Sequence, residues 1–214
     1  MVLSGLLLAW SSLLRKNTTH LVKLRRYVDD GNQVLALFWH GNFFSLFVLA
    51  RGTNAVVLTN DSFRGRVIAG ICRRFGHTPV LLPAAISGNG LSHLIQLFTQ
   101  RPGLVALALD GPTGPYHRIR SGAIYLSAQK GVRLVPIGVA SQRKLALSCR
   151  WDRQQIPLPG SRVALAVGDM INLAPLRDAA AQDPAKAIVQ RGMDLATQEA
   201  ETILAAMKAH NSNP

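Results

Sequence analysis

A histidine before a glycine, two aspartates that follow apolar runs and a scatter of arginines are the residues here with chemistry to offer. His40 closes the apolar run 34–39 and precedes Gly41 and a second apolar stretch, 43–50. Histidine titrates near neutrality, so it can take a proton from a hydroxyl and give it back within one cycle. Asp61 and Asp110 also follow short apolar runs, and either carboxylate could orient such a base. Arg64 and Arg66 fall in what reads as the first turn of a helix, where positive charge opposes the helix dipole. A bound anion would remove that conflict, which makes Arg64 a candidate substrate-binding residue.

Other chemistries fail on inspection. There is no Gly-x-Ser-x-Gly elbow for a serine hydrolase. The six histidines show no metal-ligand spacing with cysteines or carboxylates. No Gly-x-Gly-x-x-Gly follows the first strand, and Gly88-Asn89-Gly90 is not continued by the Lys-Ser/Thr of a P-loop. That Ser87-Gly88-Asn89 stretch opens a helix, so it could bind phosphate through backbone N–H groups or serve simply as a turn.

These residues need elements to position them. Apolar runs at 33–39, 55–58, 79–82, 104–109 and 134–140 are short and lack polar alternation, the pattern of strands buried on both faces. Helical rhythms separate them. One is 43–50; one carries Val67, Ile68, Ile71, Cys72 and Phe75, capped by Asp61 or Ser62; one carries Leu91, Leu94, Ile95 and Phe98; one runs from Ser121 to Lys130 and stops at Gly131. Alternation at this spacing predicts an α/β fold with a mostly parallel central sheet flanked by helices. Such a sheet delivers His40, 59–61, 87–89 and Asp110 to one carboxyl edge, where open sheets hold ligands. Residues 144–151 and 162–167 read as strands of an edge extension. Asp183-Pro184 starts a closing helix whose apolar face is Val189, Met193, Ala196, Ala200, Ile203 and Met207.

The 214 residues predict one domain, 1–214, in which residues 1–30 form a helical N-terminal segment. Leu3, Leu6, Leu7, Trp10, Leu13 and Leu14 recur at helical spacing, and this amphipathic helix either packs on the domain or lies in a membrane interface. A basic region, 18–26, is expected to continue as helix. No apolar run reaches the length of a bilayer span, and the N-terminus does not read as a signal peptide. The formal charge of +13 calls for an anionic partner. A basic nucleic-acid-binding module is the rival reading on charge alone and a catalytically inactive lipid-binding protein a third, but nucleic acid is not the expected partner, because no binding motif accompanies the charge and aromatic residues for base stacking are sparse. The two cysteines, Cys72 and Cys149, read as buried thiols in a reducing compartment.

Trp39-His40-Gly41-Asn42, then Asp110-Gly111-Pro112-Thr113-Gly114-Pro115, then Val135-Pro136-Ile137-Gly138-Val139 occur in this order. Together they resemble the lysophospholipid acyltransferase-like superfamily, most closely its bacterial DUF374 branch, over about half of the chain. The resemblance implies a glycerolipid acyltransferase-like fold. It also implies transfer of an acyl group from a thioester, on CoA or acyl carrier protein, to a hydroxyl of a lipid acceptor. No bound cofactor is implied. His40 would be the general base and Asp110 the acidic residue at the acceptor. Asn42, Gly111, Pro112, Thr113 and Gly114 would shape the substrate site, with Arg118 and Arg120 on phosphate. The work would be done peripherally, on an anionic membrane at the cytoplasmic face of the inner membrane. Two positions depart from the family: Ser45 stands where its carboxylate follows the histidine, and Thr113 where the branch usually has arginine. A carboxylate from elsewhere must then support His40, and Asp110 is the expected one.

Overall fold

Strand β2 (Val34–Phe38) is buried on both faces and lies in the middle of the molecule. Its alternate residues enter separate cores. Val34 and Ala36 face the packing of α2 (Leu21–Asp29), α3 (Phe43–Leu49) and α4 (Phe63–Arg74), while Leu35, Leu37 and Trp39 face α5 (Ser121–Lys130) and α6 (Gln182–Ala209). This two-sided burial explains why the run carries no polar alternation. The structure is a computed structural model and describes residues 2–82, 95–96, 103–176 and 182–209. The Ser87-Gly88-Asn89 turn and most of the helix expected after it lie outside the described residues.

The sheet is α/β and mostly parallel, as the alternation predicts. Its other strands are β1 (Arg15–Asn17), β3 (Val56–Asn60), β4 (Thr78–Leu82), β5 (Leu104–Ala108), β6 (Arg133–Ser141) and β9 (Arg162–Val167), in the order β1-β9-β6-β2-β5-β3-β4. Among the described residues, β6–β9 is the one antiparallel pair of this sheet. Between these two strands a small hairpin, β7 (Lys144–Ala146) and β8 (Gln155–Pro157), stands off the sheet. The strand expected over 144–151 therefore ends at Ala146. The chain needs residues 147–154 to turn round, and the Leu147 N–H donates to the Gln154 carbonyl across that turn at 2.9 Å.

At the N-terminus the helix α1 (Val2–Ser12) is present, but 18–26 does not simply extend it: β1 comes between α1 and α2. Leu7, Leu8 and Trp10 pack on the core and Leu14 is buried. The Trp10 indole N–H donates to the Pro157 carbonyl at 2.9 Å, tying α1 to the hairpin. Helix α6 lies across β6 and β9, with Val189, Met193, Ala196, Ala200 and Leu204 inward. The crossing requires Gly138, because a Cβ there would come within 1.9 Å of the Ala196 carbonyl oxygen. No helix among the described residues is long and apolar enough to cross a membrane.

Candidate functional site

His40 and Asp110 reach the same edge because β2 and β5 are neighbours, with Phe38 opposite Ala108. The ladder continues one bond further, from the Leu109 N–H to the Phe38 carbonyl at 2.8 Å. Asp110 then takes the place of backbone. One carboxylate oxygen accepts the His40 N–H at 2.9 Å and the other faces the His117 N–H at 3.4 Å. Fully buried, it anchors the chain at the point where β2 breaks into the single 3-10 turn His40–Asn42. Asp110 therefore holds the main chain of His40, not its imidazole, and the expected ring pairing is corrected.

The ring belongs to Asp152. His40 Nδ1 lies 2.8 Å from Asp152 Oδ2, with the carboxylate fully buried and the histidine side chain one-quarter exposed. An ionised carboxylate only accepts hydrogen bonds, so Nδ1 is the donor, and in the neutral ring the lone pair lies on Nε2. Arg150 forks onto the same carboxylate, Nε to Oδ1 and Nη2 to Oδ2, each at 2.9 Å. Burial pushes the Asp152 carboxyl up, but the hydrogen bonds and charge of Arg150 and His40 outweigh it and hold it below the usual range.

Three contacts hold the 147–154 loop against the histidine. Gln154 is buried and its amide donates to the Gly41 carbonyl at 2.7 Å. Gly41 needs to be glycine, since a Cβ there would stand 2.4 Å from the Asp152 carbonyl oxygen. The rings of Trp151 and Phe43 flank His40 with centroids at 5.1 and 5.2 Å. Gly114 in turn lets the Asp110–Pro115 turn close on Trp151, where a Cβ would meet the indole at 2.5 Å.

A second stack runs beside the site. His117 lies between Trp39 and Tyr116, with centroid separations of 4.2 and 3.8 Å, and the Arg153 guanidinium covers Tyr116 at 4.5 Å. His117 is exposed at its outer side, but partial desolvation against the rings lowers its pKa, against the opposing charge of Asp110. Asn42 lines a cavity of about 250 Å³ between this stack and α6, together with Ser141, Lys144, Asp152 and Glu201.

The remaining candidates divide. Gly111 and Gly114 both take the left-handed backbone that favours glycine, with φ of +70° and +74°. The Arg120 guanidinium donates to the Gly114 carbonyl, so Arg120 braces the turn. Pro112, Thr113 and Arg118 are exposed on the same edge. Arg64 is exposed at the start of α4, with β5 between its strand, β3, and β2. The helix cap there is Ser62, whose hydroxyl accepts the Gly65 N–H at 3.1 Å, while Asp61 pairs with Arg66 at 2.7 Å. Ser45 is buried in α3 and offers no charge. Cys72 is buried, as expected, whereas Cys149 is exposed. Among the described residues no cluster of histidine, cysteine and carboxylate side chains could hold a metal ion.

Asp152 is not legible in the sequence because the apolar residues of 144–151 read as a strand, which leaves it in a connecting loop far along the chain from His40. One signal was available: Asp152 is the sole acid between residues 111 and 168.

No family model matches the chain. The chain is similar to the uncharacterized protein RP090 of Rickettsia prowazekii (strain Madrid E), with 24% identity over 143 residues. That similarity spans 65% of this chain and 64% of the Rickettsia protein.

Proposed function

We propose that the protein is an O-acyltransferase. It moves a fatty acyl group from an acyl thioester, carried by CoA or acyl carrier protein, to a hydroxyl of a lysophospholipid or related lipid acceptor. The observation that carries this reading is the 2.8 Å contact between His40 Nδ1 and the buried Asp152 carboxylate. It prepares Nε2 as a base on the sheet edge where the motifs resembling acyltransferases converge. Nε2 takes the acceptor's hydroxyl proton as that oxygen attacks the thioester carbonyl carbon, forming the C–O bond. The C–S bond then breaks, and the departing thiolate receives the proton from the imidazolium. Asp152 stabilises the imidazolium while it lasts, and Arg150 keeps Asp152 ionised. No covalent enzyme intermediate and no bound cofactor are required. The charge of +13 favours an anionic membrane as the workplace, at the cytoplasmic face of the inner membrane.

The test is incubation of the purified protein with radiolabelled acyl-CoA or acyl carrier protein and a panel of lysophospholipids. Acyl transfer by the wild type and its loss in His40→Ala are expected. Equal turnover in the variant would remove His40 from the mechanism.

A further inference from the structure

The sheet edge that carries His40 also gathers exposed apolar side chains. Phe63, 85% exposed, opens α4 directly beyond the carboxyl end of β3. On the other flank β6 ends at this edge and leads into the hairpin, where Leu145 and Leu158 are 51% and 41% exposed. Strand β9 starts here because it runs antiparallel to β6, and β1 starts here because it runs parallel to β9. Leu13, 57% exposed, is thereby brought beside the hairpin, with its carbonyl accepting the Gly160 N–H at 3.0 Å. His40 lies between the two flanks. Helix α1 turns Leu7, Leu8 and Trp10 onto the core and leaves Leu6 63% exposed.

Charge decides what these side chains meet. The sequence has no acid in residues 1–28, and Asp152 alone interrupts residues 111–168. Arg118, Arg143, Lys144 and Arg153 are exposed on this edge. Among the described residues, its carboxylates are the buried Asp110 and Asp152, the ion-paired Asp61 and, on α6, the exposed Asp194 near His117 and Glu201 near Lys144, so exposed cations still outnumber exposed acids here. At the opposite edge acids accompany the bases: Asp29 and Asp30 are exposed and Lys23 pairs with Asp169. A duplex of nucleic acid would satisfy the cations but leave phenylalanine and leucine in water. An anionic bilayer satisfies both, because apolar side chains enter the acyl boundary while cations stay at the phosphates.

We infer that this carboxyl edge is the membrane-docking face, with Phe63 and the Leu145–Leu158 hairpin as two prongs that straddle His40 and seat its mouth on an anionic bilayer. The inference rests on the membrane part of the function proposed above and is independent of the acyl chemistry. It also gives the hairpin two tasks, since the loop between its strands supplies Asp152.

Sedimentation with vesicles of phosphatidylglycerol and phosphatidylcholine, against phosphatidylcholine alone, tests it without turnover. Phe63→Ser, and Leu145→Ser with Leu158→Ser, should each weaken partitioning into the anionic vesicles about tenfold, the loss expected when a large apolar contact is removed. All three together should abolish binding, whereas Val22→Ser, an exposed apolar position on α2, should bind as the wild type does. Weak binding to phosphatidylcholine alone is expected. His40→Ala should bind fully, so loss of acyl transfer and loss of docking are read separately. Serine variants that bind like the wild type would overturn the inference, as would a loss in Val22→Ser equal to theirs. Displacement of every variant alike by a DNA duplex would also overturn it, marking a general polyanion surface.

Discussion

Replacing Asp152 by asparagine removes a charge with almost no change of shape, and its effect can be worked out from the contacts. The carboxylate is fully buried, 2.8 Å from His40 Nδ1 and forked by Arg150 at 2.9 Å on both oxygens. A hydrogen bond to a charged group contributes about 1.5–3 kcal/mol, which at about 1.4 kcal/mol per decade is roughly tenfold to 150-fold in rate. The tautomer adds to this. An asparagine amide can turn its N–H toward Nδ1, which sends the ring proton to Nε2, the nitrogen that must act as base. Together these should lower kcat on the order of 10²–10⁴-fold, the range for a lost general base, with little change in KM. Arg150→Met should act differently. Without the guanidinium, burial of Asp152 is opposed by His40 alone, and the carboxyl's pKa rises from its depressed value. Activity in Arg150→Met should therefore fail at a higher pH on acidification, whereas Asp152→Asn is impaired at every pH. Initial rates of acyl transfer across pH, with urea unfolding to confirm the fold, measure both. A kcat for Asp152→Asn within about twofold of the wild type would refute the dyad.

Gly41→Ala should push the 147–154 loop away from His40, because the new Cβ would sit 2.4 Å from a backbone oxygen. A cost of about 1–3 kcal/mol in urea unfolding and a lower kcat are expected, and an unchanged protein would mean the loop does not approach so closely. Stability should also fall on acidification through histidines. His77 is buried with no partner for Nδ1 among the described residues, and burial lowers its pKa against the hydrogen bond it makes to the Phe47 backbone; His117 is lowered in the same direction but is exposed, so it contributes less. A depressed folded pKa means that the stabilisation is complete above the unfolded value, about 6.5, and is lost as pH falls below it. Urea midpoints taken about one unit above and one unit below that value should differ, and His77→Gln should narrow the gap. Equal midpoints in the wild type would count against the buried neutral ring.

The sheet was legible because its strands are uninterrupted apolar runs that end at polar or glycine residues. Val34 to Phe38 is unbroken because both faces are buried, and Ser121–Lys130 ends at Gly131, whose φ is +70°. The closing helix showed its inward face through the three-four spacing of Val189, Met193, Ala196 and Ala200. What stayed hidden depends on long-range contacts without a local period. Nothing near Arg15 shows that β1 will pair with Arg162, and nothing near Lys144 shows that its strand stops after three residues. Strand order alone made Asp110 the neighbour of His40. The two are neighbours, but the short distance between their strands is spent on a backbone hydrogen bond.

The separation between acid and base, 112 residues along the chain, bears on how the site comes into being. An acid on the helix after His40 would be in place as soon as that segment folded. Here β6 must first lie against β2 and the hairpin must close before Asp152 can meet the imidazole. Contacts of such high sequence separation form late, because the loop-closure entropy comes before the reward. A chain still emerging from the ribosome, or one clipped within residues 142–154, would hold His40 without its carboxylate. In the proposed mechanism His40 would become competent as a base only in a molecule whose fold is already finished around it.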